Sequence, residues 1–216
     1  RRAKVEDEIE FYSTLRTDRA IERAQVCLLV VDAKDGLHNQ DLRIATMAWE
    51  NGTGLIIVVN KWDLVEEKDA NTARRGEVEL AEKAPFLADV PFIYTSALTG
   101  QRVHKVLDLI FEVGAEREKR ITTSEVNKTL EVLLTKQSPP QKMGEEVRLL
   151  FASQVATAPP VIAIISNRPD DVPVSYVRYL EHGFREAWGF KGVPLNIKFG
   201  SRGSKQHAKE KGDGRR

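Results

Sequence analysis

At 216 residues and 24.3 kDa, the chain is the size of one large domain or two small ones. Hydrophobic residues make up 41% and charged residues 30%, which excludes disorder throughout and allows a buried core. No apolar run approaches the roughly 18–20 residues of a membrane span, so no membrane partner is expected. Arg1-Arg2-Ala3-Lys4 is followed by acidic Glu6-Asp7-Glu8 rather than an apolar stretch, so no signal peptide is expected either. The single cysteine, Cys27, excludes an intramolecular disulfide and a thiolate metal cluster, and a reducing cytoplasmic setting is expected.

The net charge of +1 conceals a split. Residues 1–117 carry 16 Lys/Arg against 21 Asp/Glu, and residues 118–216 carry 17 against 11. The last 16 residues hold six basic groups against Glu210 and Asp213. Such a basic end suits a polyanionic partner, or serves only as a solvated tail that aids solubility.

In chain order, the apolar spacing of Val5, Ile9, Tyr12, Leu15, Ala20 and Ile21 predicts an amphipathic helix over 5–24. Val26 to Val31 predicts a parallel strand buried on both faces. A turn at Asp35-Gly36 leads to a helix over 39–50, closed by Asn51-Gly52. Leu55 to Val59 predicts a second buried strand, 71–83 a charged helix and 92–95 a third strand. A helix over 103–115 should turn Val103, Val106, Leu107, Ile110 and Phe111 inward. This alternation is the pattern of an α/β parallel sheet with helices on both faces.

Past residue 117 the order changes. A helix is expected over 122–134, then a breaker at Ser138-Pro139-Pro140. Strands over 147–153 and 161–166, a helix over 173–188 and a strand over 193–199 complete a smaller α+β unit. The expected domains are therefore 1–117 and 118–200, with 201–216 a basic disordered tail.

Asn60-Lys61-Trp62-Asp63 stands directly after the second strand, where ligands bind in open α/β sheets. A carboxylate at the fourth position can accept from both the ring N–H and the exocyclic amine of guanine, a match adenine does not offer. The lysine stem can lie along a purine face, and the asparagine amide can tie neighbouring loops. Four residues alone also describe an ordinary polar turn. The next strand ends in Thr95-Ser96-Ala97-Leu98, whose turn can bring backbone N–H groups to the same base. Two such elements on successive strands form a far more specific signal.

These residues resemble the fourth and fifth motifs of translation-factor-type GTPases. The flanking text, from Val5-Glu6-Asp7 through Tyr12-Ser13, Arg16 and Ala20-Ile21 to Leu29-Val30-Val31-Asp32-Ala33, Gly36 and Gln40-Asp41, resembles the second GTPase domain of the Der (EngA) family. Gln154-Val155-Ala156-Thr157, Pro159-Pro160, Asn167-Arg168-Pro169, Tyr176 to Glu181, Phe184-Arg185-Glu186-Ala187 and Gly189-Phe190 through Leu195 resemble the KH-like domain that ends those proteins. The resemblance covers residues 1–200. It implies a GTPase with tandem GTPase domains acting in cytoplasmic assembly of the large ribosomal subunit. GTP or GDP would be the bound nucleotide, read by Asn60, Lys61, Trp62, Asp63, Ser96, Ala97 and Leu98. The large ribosomal subunit, ribosomal RNA and an upstream GTPase domain of the same protein would be the partners.

The departure from that pattern is informative. No G-x-x-x-x-G-K-[ST] phosphate loop and no D-x-x-G precede or follow the base-reading motifs. The resemblance implies Mg²⁺ in the intact protein, but no ligand for it is identifiable in this chain, and no catalytic residue is expected here. Phosphoryl transfer rests on positioning and charge neutralisation, so residues 1–216 alone should be inactive. The competing reading is a non-enzymatic RNA- or ribosome-binding module with a vestigial nucleotide pocket. His38, His104, His182 and His207 share no ligand spacing. Gly189-Phe190-Lys191-Gly192 has the form of a KH clamp but joins a helix to a strand, so a helix cap and turn is expected.

Overall fold

The computed structural model describes residues 17–66, 72–142 and 144–201. The chain divides into two compact units. The first runs to Lys119 and takes in Phe190–Pro194; the second holds Arg120–Gly189 and the residues from Leu195 on. Of the helix expected over 5–24, residues 17–23 are helical and 1–16 lie outside the described residues. The expected tail, from residue 202 on, also lies outside them. Among the described residues no helix is long and apolar enough to cross a membrane.

In the first unit, β1 (Val26–Asp32), β2 (Gly54–Asn60) and β3 (Phe92–Tyr94) form a parallel sheet in the order β1-β2-β3. Helices α1 (Asn39–Glu50), α2 (Thr72–Lys83) and α3 (Val103–Glu118) connect or follow them. Central β2 is buried from Leu55 to Val59, as a continuous apolar run in a covered parallel strand should be. One of its faces packs with Ile21, Leu29, Val31, Ala45, Ala48 and Leu87. The other packs with Val113, Val193, Val106 and Ile110.

Two expectations about burial fail here. β1 is not buried on both faces: Leu29 and Val31 are, but Leu28 is 40% and Val30 58% exposed. β1 is an edge strand among the described residues, and on that face the helix α3 packs more on β2 than on β1. Likewise α3 turns Val106, Leu109, Ile110 and Val113 to the sheet, whereas Val103, Leu107 and Phe111 are 44%, 60% and 77% exposed. These three recur every fourth residue and form their own stripe, which the packing of Val106, Ile110 and Val113 rotates off the sheet.

The second unit contains α4 (Thr123–Lys136), β4 (Leu149–Ala156), β5 (Val161–Ser166), α5 (Val174–Trp188) and β6 (Asn196–Gly200). β4 pairs antiparallel with β5, and β5 parallel with β6. β4 runs on to Ala156, past the expected end at Ser153, through a register shift between Gln154 and Ala156. Val126, Leu130 and Leu133 of α4 and Tyr176, Leu180 and Phe184 of α5 are buried with Ile162 and Ile164 of β5. The Tyr179 hydroxyl donates to Leu133 O at 2.7 Å and the Tyr176 hydroxyl to Gln137 O at 2.6 Å. Leu133 O also accepts from Gln137 N–H at 2.9 Å, so Tyr179 is a second donor to a carbonyl at the end of α4.

The last strand begins at Asn196, not at the expected Val193. The reason is that Phe190–Pro194 belongs to the first unit. There Leu55 N–H donates to Gly192 O at 2.8 Å, and Gly192 N–H to Asp89 O at 2.7 Å. Gly192 has φ +73, and a Cβ on it would lie 2.8 Å from Val113 Cγ2 and 3.1 Å from Leu55 O, so only glycine fits. Gly189 ends α5, its N–H donating to Arg185 O at 2.8 Å. The tetrad is thus a helix cap and turn.

Candidate nucleotide site

Parallel pairing brings the carboxyl ends of all three strands of the first unit to one edge. Asp32 of β1 stands opposite Asn60 of β2, and Val59 opposite Tyr94 of β3. The chain leaves β2 through Lys61 in the left-handed region, φ 60 and ψ 32, and turns at once into a short 3₁₀ helix, Trp62–Leu64. A non-glycine residue there costs on the order of 1–2 kcal/mol, which neighbouring bonds must offset. One is the Trp62 N–H, which donates to Thr95 O at 2.9 Å.

The loop after β3 is stitched to the loop after β2. Asn60 Oδ1 accepts from Ala97 N–H at 3.0 Å and from the Thr95 hydroxyl at 3.4 Å. Ser96 is fully buried; its N–H donates to Gln101 O, and its Oγ accepts from Thr99 N–H, both at 3.1 Å. Leu98 projects outward, 87% exposed. The two segments singled out in the sequence therefore meet at one edge, with Asn60 as the tie. In this state the Ala97 N–H is engaged by Asn60.

Asp63 contributes a different feature. Its Oδ1 is buried and has no hydrogen-bond partner. Burying a carboxylate oxygen without a donor is costly. Trp62 packs on Tyr94, ring centroids 4.5 Å apart. The Tyr94 hydroxyl lies 3.0 Å from Ala73 O and 3.1 Å from Glu77 Oε1. Burial, reinforced by the Glu77 carboxylate, pushes its pKa far up. Trp62 and Tyr94 thus form a firm floor under the turn.

Lys61 Nζ lies 2.6 Å from Asp32 Oδ2, and Asp32 Oδ1 accepts from Lys34 N–H at 2.9 Å. The Lys61 ammonium and then the Lys34 N–H hold the Asp32 carboxyl below the usual carboxylate range, and Asp32 raises Lys61 in turn. In the sequence Asp32 stands only within the stretch that carries the family resemblance, with no role in the site. Its signal was its place: the last residue of a parallel strand, in register with the first residue of the motif.

Among the described residues no group of three or more His, Cys, Asp or Glu side chains could hold a metal ion. The Asp32 carboxylate at this edge is already paired with the Lys61 ammonium, and no metal-dependent step is assigned to it.

Residues 11–116 match the elongation factor Tu GTP-binding domain. Residues 120–199 match the KH-domain-like region at the C-terminus of EngA bacterial GTPase enzymes. The chain is 54% identical over 197 residues to GTPase Der of Gemmatimonas aurantiaca, covering 91% of this chain and 45% of that protein. It is 44% identical over 203 residues to GTPase Der of Caldanaerobacter subterraneus subsp. tengcongensis, covering 94% and 46%. It thus spans about half the length of the curated relatives it matches. Among solved structures it is similar to Era in complex with MgGDPNP and nucleotides 1506–1542 of 16S ribosomal RNA. That match has 18% identity and a TM-score of 0.39, and covers 85% of this chain and 67% of the other.

Proposed function

We propose, given that the chain belongs to the Der (EngA) family of GTPases, that its strand-end edge reads the guanine base of GTP and GDP. The observation that carries this is the buried, partnerless Asp63 Oδ1 next to two loops locked together by Asn60 and Ala97. Asp63 accepts from the guanine ring N–H and exocyclic amine. Lys61 covers a face of the base, Trp62 braces the turn against Tyr94, and Asn60 holds the Ser96-Ala97-Leu98 loop. The N–H groups of that loop meet the base carbonyl, which competes with Asn60 for Ala97.

The whole protein, on this reading, hydrolyses GTP in cytoplasmic assembly of the large ribosomal subunit, and the KH-like unit contacts ribosomal RNA. The phosphate loop and Mg²⁺ ligands belong to the part of the family's length that this chain does not span. Base contacts worth about 1–3 kcal/mol per bidentate pair correspond to roughly millimolar binding at best. Residues 1–216 alone therefore turn over no GTP.

The experiment is Asp63→Asn in the complete protein. An amide donates where the carboxylate accepted, so preference moves from guanosine to xanthosine nucleotides, read by competition binding of GDP and XDP. Unchanged preference for guanine removes the role given to Asp63 and leaves an RNA- or ribosome-binding module with a vestigial pocket.

A further inference from the structure

The ion pair between the last residue of β1 and the first residue after β2 does more than decorate a strand end. We infer that Asp32 is a positioning residue for nucleotide binding, acting through Lys61: it anchors the ammonium so that the lysine stem is already laid where the purine face arrives. This rests on the guanine reading above and adds to it a residue outside both base-reading motifs.

The geometry fixes Asp32 at both ends. Register sets it opposite Asn60, its Oδ1 is held by Lys34 N–H at 2.9 Å, and its Oδ2 is thereby left facing Lys61 Nζ at 2.6 Å. Lys61 needs such an anchor. Its backbone is left-handed, and its side chain is 56% exposed against 22% for Asp32. A partly exposed ion pair adds little to folding stability, because water and salt screen it. What it does is restrict a long side chain that otherwise samples many rotamers. Ordering such a chain when ligand arrives weakens binding; ordering it beforehand removes that penalty, on the order of three- to ten-fold in affinity. The effect applies to the face of the base, not its edge, so it should be the same for any purine the pocket accepts.

The test uses the complete protein and three variants: Asp32→Asn, Lys61→Ala and the double substitution. Dissociation constants are measured for GDP and IDP, with melting temperatures as a check on folding. Asp32→Asn keeps an oxygen for Lys34 N–H and loses the charge. The expected result is GDP and IDP weakened by the same factor, about three- to ten-fold, an unchanged ratio between them, and no further weakening when Asp32→Asn is added to Lys61→Ala. In GTP turnover, KM rises and kcat holds. Wild-type affinity in Asp32→Asn, or a full additional weakening in the Lys61→Ala background, overturns the inference. If Asp32→Asn does not fold, Asp32→Glu carries the test: its added methylene misplaces the ammonium and weakens both nucleotides alike, and wild-type affinity there overturns the inference equally. Failure of the underlying reading looks different, because then Asp63→Asn leaves base preference untouched. If Asp63→Asn switches preference while the Asp32 variants are silent, only this inference falls.

Discussion

Asn60 Oδ1 and the Ala97 N–H meet at 3.0 Å across 37 positions of chain, so one amide oxygen joins the loops that follow two neighbouring strands. The Thr95 hydroxyl reaches the same oxygen at 3.4 Å. Replacing Asn60 with Ala removes both bonds and leaves their donors without that acceptor. Net hydrogen-bond contributions of about 1 kcal/mol, and more where a buried group is left unpaired, set the expected destabilisation at about 1–2 kcal/mol. Urea unfolding of the complete protein measures it. GDP affinity should fall in parallel, because the Ser96-Ala97-Leu98 loop is no longer held, while the GDP-to-XDP preference set by Asp63 stays as it was. A stability unchanged from wild type would show that other bonds hold the loop.

Much of this site was legible in the residues because its parts are short and local. Asn60 through Asp63 follow an uninterrupted apolar run, Leu55 to Val59, that forms the buried central strand. A motif attached to such a strand has its location settled by topology. What was not legible depends on neighbours. The apolar content of Leu28 and Val30 says nothing of whether a helix covers that side of the sheet. The stripe of Val103, Leu107 and Phe111 is as apolar as that of Val106, Ile110 and Val113, and only the sheet's position chooses between them. The start of β6 was misplaced for a related reason: Val193 belongs to an apolar run, yet its side chain completes the core of the first unit beside Ile56 and Val58. Asp32 is a contact between strands, and its partner is visible only once register is known.

In the second unit, Gly183 lets two helices approach. A Cβ there would stand 2.3 Å from Leu133 Cδ2 and 2.9 Å from Cδ1, and Leu133 is only 4% exposed. Alanine would raise helix propensity by about 1 kcal/mol, but forcing a methyl group into a packed interior costs about 1–3 kcal/mol. Gly183→Ala should therefore lower stability by about 1–2 kcal/mol in chemical denaturation. In a Leu133→Ala background its cost should shrink or reverse sign, since the clashing atoms are gone. An equal penalty in both backgrounds would refute the close approach as the cause.

The basic residues from 201 on make a prediction about partners. Six Lys/Arg stand there against Glu210 and Asp213. If they bind RNA phosphates, deleting 201–216 reduces the slope of log affinity against log salt for ribosomal RNA, by roughly 0.7 for each single-strand phosphate no longer neutralised. Filter binding across a salt series reads the slope directly. The same slope with and without those residues identifies a passive, solubilising end.

Acid sensitivity should localise in part to the start of α4. The Thr122 hydroxyl and N–H both donate to Glu125 Oε2, at 2.7 and 3.1 Å, and Glu125 N–H donates back to Thr122 Oγ1 at 3.3 Å, a reciprocal cap. The hydroxyl, then the backbone N–H, hold the Glu125 carboxyl below its ordinary value of 4.5. A carboxyl whose pKa is depressed by folding binds fewer protons folded than unfolded. Its contribution is therefore present above the unfolded pKa and disappears as pH falls through the depressed one. Glu125→Gln keeps an acceptor without the titration, so its melting temperature should lie below wild type at neutral pH. The gap should close progressively as pH drops below 4.5. Thr122→Ala should shrink the same gap at neutral pH, because it removes the strongest of the bonds that depress Glu125. A difference between wild type and Glu125→Gln that persists undiminished well into acid would show that the carboxylate charge is not what the cap recognises.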